Sequence, residues 1–187
     1  DFWAAFFIVL GVFIKLYGIV GLAFFFFSRN KIKFILSLFL WSVVLFTLPM
    51  LISSPEYIIQ TYREWFERLV EKNNENTGLN SYQDISLMGI VRRFFQDSTI
   101  SNLPFLVGGV FLFGLQYLRI KEYKEVSFRL MLLASVLIFT VIFSSGSESP
   151  TYIIAFVGVA IWFVIQPKPI SNFYIALFIF SLILTAY

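Results

Sequence analysis

FWAAFFIVLGVFIKLYGIVGLAFFFF, Phe2–Phe27, is apolar throughout except for one charge, Lys15. A helix needs about 20 apolar residues to cross the ~30 Å hydrocarbon core of a bilayer. The stretch therefore reads either as one long tilted helix or as a re-entrant hairpin, Phe2–Ile14 out and Leu16–Phe27 back, with Lys15 at the tip. A lysine facing lipid is costly, whereas one lining a wet cavity is tolerated. Gly18 and Gly21 ease a break in the helix. The hairpin is the favoured reading.

Outward from this stretch the pattern repeats. Apolar runs cover 34–52, 103–118, 130–143, 151–165 and 173–187. Several are short for a bilayer, which suggests helices ending at a cavity or in a thinned membrane. The chain has 187 residues, 59% hydrophobic and 13% charged. Soluble domains run at roughly 45–50% apolar and about 25% charged. The fold class predicted is all-α integral membrane: a multi-span helical bundle, a single domain over 1–187, with a re-entrant or broken first helix. Residues 53–102 form one long outer loop carrying short amphipathic helices.

Composition also removes chemistry. With no cysteine there are no disulfides, thiolate metal sites or thiol nucleophiles. With no histidine, the commonest general base and metal ligand is missing. The N-terminal Asp1-Phe2-Trp3-Ala4-Ala5 shows no basic region or cleavage site, and the expectation is that this stretch is not a signal peptide. The last apolar run stops at Tyr187, and the expectation is the C-terminal portion of a longer protein.

Lysine and arginine set the orientation. Arg29, Lys31 and Lys33, then Arg119, Lys121, Lys124 and Arg129, then Lys168, fall in short loops on one side, which is predicted to be cytoplasmic. The loop 53–102 and the loop 144–150 fall on the other side. The first of these holds Glu56, Glu64, Glu67, Glu71, Glu75, Asp84 and Asp97 beside its arginines. The net charge of +3 is thus dispersed, and no nucleic-acid partner is expected. Membrane lipid is the expected partner, and the predicted location is multi-pass in a bacterial plasma (inner) membrane.

Within the long loop, Ser53-Ser54-Pro55-Glu56 reads as a helix start. Ile58, Tyr62, Phe66 and Leu69 then recur at helical spacing, with charges opposite. Residues 73–78 are predicted to be a polar loop. A second short helix is predicted from near Asp84 to about Phe95.

Polar residues near these elements are the candidate site. Asp84 to Arg93 reads either as a ligand site or as a capped helix with solvated arginines. In the first reading Asp84 meets a hydroxyl and Arg92 or Arg93 meets phosphate, since the guanidinium fork matches phosphate oxygens. In the second, Asp84 is an N-cap and the arginines pair with Asp97. Lys15 is either a cavity-facing ammonium for an anionic headgroup or a snorkelling side chain. Glu148 and Tyr152, in Ser145–Tyr152, either close over the loop or form a plain turn. No residue set suggests a metal site; no cofactor is expected.

Three motifs in this order resemble glycosyltransferase family 87, within the GT-C superfamily of polyprenyl-phosphate-dependent membrane enzymes. Gly11-Val-Phe-Ile-Lys15-Leu-Tyr-Gly18 followed by Arg29-Asn-Lys31 is similar to the family's helix, lysine, short-helix, basic-loop segment. Asp84-x-Ser86-Leu87-x-Gly89-x-x-x-Arg93 is similar to its Asn-Gln-Ser-Leu-x-Gly block, with Asp84 for Asn and Ile85 for Gln. Ser147-Glu148-Ser-Pro150-Thr-Tyr152 resembles its Ser-Pro luminal turn. The resemblance implies transfer of a sugar, mannose among the candidates, from a polyprenyl-phosphate-linked donor to an extracytoplasmic glycan or glycolipid acceptor. It implies a substrate-binding set of Lys15, Asp84, Ser86, Arg92, Arg93, Glu148 and Tyr152. It places the principal catalytic carboxylate in a first outer loop outside these residues, so the fragment alone would be inactive. A divalent metal is compatible with such enzymes. The alternatives are a lipid-linked oligosaccharide flippase, a transporter or a polysaccharide polymerase.

Overall fold

The computed structural model describes residues 1–80 and 83–185. Those residues are helical, with no strand among them. They divide into two compact units, Asp1–Val70 and Glu71–Tyr187.

The first unit opens on the hairpin. Helix α1 spans Phe2–Ile14 and ends as Lys15 turns extended, at φ −156° and ψ 132°. The Lys15 N–H still donates to the Gly11 carbonyl at 2.8 Å. A 3₁₀ helix, Leu16–Phe27, then packs back along α1. Its 12 residues, at about 2.0 Å each, span about 24 Å, against about 20 Å for the 13-residue α1. Glycine makes the close pairing feasible. A Cβ on Gly18 would lie 2.4 Å from the Val12 nitrogen and 2.5 Å from the Gly11 carbonyl carbon. No larger residue fits there without parting the arms. Each arm, roughly 20–24 Å, is shorter than the ~30 Å hydrocarbon core of a bilayer.

Asn30 caps the next helix by accepting the Lys33 N–H at 3.0 Å. This helix, α2, spans Lys31–Thr47 and continues as a 3₁₀ turn, Leu48–Leu51, at Pro49. Lys31–Leu51 is 21 residues long and is the one helix among those described that is long and apolar enough by itself to cross a membrane. Helix α1 packs on it through Phe2, Trp3 and Phe6, whose rings gather around Trp41 at 4.7–6.0 Å.

Helix α3, Pro55–Asn76, begins as expected, with the Ser54 hydroxyl accepting the Tyr57 N–H at 3.3 Å. Tyr62 stacks on Phe46 at 4.6 Å and donates to the Phe46 carbonyl at 3.2 Å. The polar loop expected over 73–78 is mostly the last turn of α3, which runs through Asn76. Polarity misled here because those asparagines have partners: the Asn73 and Asn76 side chains bind Ser145.

The second unit continues with α4 (Leu87–Phe95), α5 (Leu103–Gly114, prolonged by a 3₁₀ turn to Leu118), α6 (Val126–Ile142), α7 (Tyr152–Val164) and α8 (Asn172–Thr185). The end of the apolar run expected over 173–187 lies outside the described residues. Helix α6 supplies the core with Phe128, Leu132, Ala134, Val136 and Val141. It packs closely on α7, where a Cβ on Gly158 would come within 2.7 Å of the Ala134 carbonyl. Helix α8 joins through Phe178, which stacks on Phe163 at 4.4 Å.

Beside its apolar core the protein buries a polar cluster and exposes large apolar residues. Asp84, Ser86, Arg92 and Ser147 are buried, while large apolar residues of α2, α5 and α8 are exposed along their lengths. Soluble monomers rarely expose contiguous apolar surface on this scale. The shorter apolar helices run to 10–17 residues.

Candidate functional site

The site grows from a short local motif, Asp84-Ile85-Ser86-Leu87-Met88-Gly89. The Asp84 carboxylate turns back onto the chain. Its Oδ1 accepts from the Ser86 hydroxyl at 2.5 Å and from the Ser86 N–H at 3.3 Å. The Ser86 Oγ in turn accepts the Gly89 N–H at 3.2 Å. Ser86 is therefore the N-cap of α4, and the helix starts at Leu87 rather than near Asp84. Asp84 orients the cap instead of forming it. Gly89 is required by proximity, since a Cβ there would sit 2.1 Å from the Asp84 carbonyl oxygen and 2.6 Å from its Cγ.

Helical spacing brings Arg92 round to the same carboxylate. Its Nη1 donates to Asp84 Oδ2 at 2.6 Å, with Asp84 1% and Arg92 2% exposed. The rest of the guanidinium is committed too: Nε donates to the Ile100 carbonyl at 3.1 Å and Nη2 to Asn102 Oδ1. A buried charge needs this degree of pairing. The expected pairing of the arginines with Asp97 is replaced, for Arg92, by Asp84. Asp97 is instead held by Thr99, whose hydroxyl and N–H donate at 2.7 and 2.8 Å. Those bonds lower the Asp97 pKa below the usual carboxylate value. Arg93 Nη1 donates to the Asp84 carbonyl at 2.6 Å. The helix closes at Gln96, in the left-handed region at φ 55°, and the Asp97 N–H returns to the Arg92 carbonyl at 3.0 Å.

The loop between α6 and α7 clamps this motif. The Ile85 N–H donates to the Ser147 carbonyl at 3.1 Å, and the Tyr152 hydroxyl donates to the Ile85 carbonyl at 2.6 Å. Both polar groups of the Ile85 backbone are thereby held, one by this loop and one by the first residue of α7. Ser147 is fixed by its hydroxyl, which donates to the Val141 carbonyl at 2.5 Å. From α3, Asn76 Nδ2 reaches the Ser145 carbonyl at 3.1 Å, and Asn73 accepts the Ser145 hydroxyl at 2.6 Å. The closing of 144–150 onto the island is thus physical. Glu148 lies in that loop, its N–H donating to Thr151 Oγ1 at 3.3 Å.

Asp84, Ser86, Arg92, Arg93, Glu148 and Tyr152 therefore belong to one neighbourhood in the second unit. Lys15 belongs to the first unit. It is exposed at the hairpin tip with its ammonium 4.8 Å from the centroid of the Tyr17 ring. An apolar groove of about 550 Å³ lies between α1, the 3₁₀ helix and α2, lined by Ile8, Val12, Phe13, Ile19, Leu38 and Phe46 among others. Among the described residues no three acidic side chains gather as a metal cluster.

Ser147, Asn102, Asn73 and Asn76 were not anticipated as parts of the site. Asn102 carried a weak signal, a polar residue just before an apolar run containing Pro104. Ser147 carried a signal only as the first residue of the Ser147–Tyr152 turn, and its bond to Ile85 comes from a contact distant in sequence.

No curated protein and no solved structure matches the chain. The sequence model of glycosyltransferase family 87 matches residues 1–145. That range contains the hairpin with Lys15 and the whole Asp84–Arg93 motif; the Ser147–Tyr152 turn lies beyond it. A match over this much of the chain gives one assignment: the chain belongs to glycosyltransferase family 87, a family of membrane proteins.

Proposed function

We propose that this chain is part of a multi-pass membrane glycosyltransferase that moves a sugar, mannose being the first candidate, from a polyprenyl-phosphate donor to an extracytoplasmic glycan or glycolipid. The family match carries the reading. The acceptor oxygen forms the new bond to the anomeric carbon as the bond from that carbon to the donor phosphate breaks. The phosphate keeps the electron pair, and the acceptor proton passes to a base. No residue of this chain is assigned as that base; it is sought on a first outer loop elsewhere in the protein.

The cations of this chain suit the leaving phosphate. Lys15, in the first unit, and Arg93, in the second, are separate candidates for that role. Arg92 is not, because its nitrogens face Asp84, Ile100 and Asn102. Arg92 and Asp84 are instead the scaffold that sets the Arg93 backbone. Phe13 and Ile19, which line the apolar groove, flank Lys15 in the chain. A donor with its isoprenoid tail in the groove and its phosphate at Lys15 meets both features.

The test uses the full-length protein in lipid nanodiscs with radiolabelled mannosyl polyprenyl phosphate and, separately, a nucleotide-activated mannose. Transfer is expected from the lipid donor alone. Lys15→Ala and Arg93→Ala should each lower the rate about 10²-fold, the scale for losing one donor to a developing anion. Transfer from the nucleotide sugar alone would overturn the donor, and full turnover in both variants would remove the phosphate role.

A further inference from the structure

Helix α4 is amphipathic the wrong way round for a helix on a soluble protein. Its inward face carries Met88, Gly89 and the charged Arg92, all buried. Its outward face carries Leu87, Ile90 and Phe94, spaced i, i+3 and i+7, at 38%, 56% and 79% exposure. Phe95 extends that apolar surface at the helix end. Arg93 borders the face, neither fully buried nor fully exposed.

The depth of α4 is set by Arg92. Through Ile100 and Asn102 it ties the helix to the residue immediately before Leu103, where apolar α5 begins. Leu103, Val107 and Phe111 of α5 are themselves exposed. A helix fastened to the head of a spanning helix lies at the boundary of hydrocarbon and headgroups. An outward face without a polar residue matches that boundary, and a bordering arginine matches headgroup phosphates.

We propose that α4 is an interfacial helix whose Leu87–Ile90–Phe94 face rests in the outer leaflet, so that Arg93 and the Asp84–Arg92 pair are held at the depth of the lipid headgroups. The proposal rests on reading α5 as a membrane span. Its occupant is lipid, and its consequence is that the candidate site works at the bilayer surface.

These 187 residues contain no cysteine, and any cysteine elsewhere in the full-length protein is replaced by serine first. A nitroxide is attached in turn at Phe94→Cys, Leu112→Cys and Asn74→Cys of the full-length protein, in vesicles of phosphatidylcholine and phosphatidylglycerol. Collision rates with oxygen, which concentrates in hydrocarbon, and with a water-soluble nickel chelate are compared. Oxygen is expected to dominate at 112 and, less strongly, at 94, and the chelate at 74. Chelate dominance at 94 with oxygen dominance at 112 would overturn the proposal while leaving the membrane reading intact. Protection at 94 from both reagents would overturn it in favour of a protein partner or a second copy. Chelate dominance at 112 would overturn both. Ile90→Cys repeats the measurement on the same face if Phe94→Cys folds poorly.

Discussion

Arg92→Met removes the cation from a site built to bury it. Methionine keeps the apolar stem but ends about where Nε sits, so the variant loses the guanidinium head with its charge and its donors. Asp84, 1% exposed, is left charged without its partner at 2.6 Å, while the Ile100 carbonyl and Asn102 Oδ1 lose their donors. Removing one member of a buried pair costs about 3–5 kcal/mol. At about 2–4 °C per kcal/mol for a chain of this size, the midpoint of thermal unfolding should fall by roughly 10 °C. Asp84→Asn should also destabilise, for a different reason. The site uses both carboxylate oxygens as acceptors, Oδ1 for Ser86 and Oδ2 for Arg92, whereas an amide has one acceptor oxygen. The double variant Asp84→Asn with Arg92→Met no longer buries an unpaired charge, so it should lose clearly less than the sum of the two single losses. Tryptophan fluorescence of the detergent-solubilised protein follows the transition. A midpoint shift under about 2 °C for Arg92→Met, or strict additivity in the double variant, would refute the keystone role of this pair.

Gly89→Ala should destabilise by about 1–3 kcal/mol or more, because its Cβ meets the Asp84 carbonyl oxygen at 2.1 Å. Gly108→Ala is the control: nothing lies within 4 Å of its Cβ, and alanine, the better helix former, should leave the unfolding midpoint unchanged or raise it. Tyr152→Phe deletes the donor to the Ile85 carbonyl and should cost about 1 kcal/mol. Hydrogen exchange at the Ile85 amide, which is bonded to Ser147, should then quicken about fivefold, and an unchanged rate would show that the α6–α7 loop holds the motif without Tyr152.

The elements were legible where the signal was local. Leu103–Leu118 is helical over the range its apolar run marks, and the break at Lys15 falls between the two arms that charge and glycine spacing suggested. The cap at Ser54-Pro55-Glu56 was equally plain. Local signals failed where polar residues found distant partners. Asn73 and Asn76 resemble a loop, yet they are helix because Ser145 takes up their side chains. Asp84 resembles a cap, yet Ser86 is the cap because the carboxylate is committed to Arg92.

By itself the sequence determined the all-helical class and the apolar exterior, because composition and periodicity report solvent preference and need no knowledge of neighbours; the family rests on its motifs and on the family match. Tertiary structure alone decided what the charges do. Arg92 and Arg93 are adjacent and chemically identical, and the motif that ends on Arg93 does not say which of the two is buried. A helix turns them about 100° apart, so one enters the interior to meet Asp84 while the other borders the outward face.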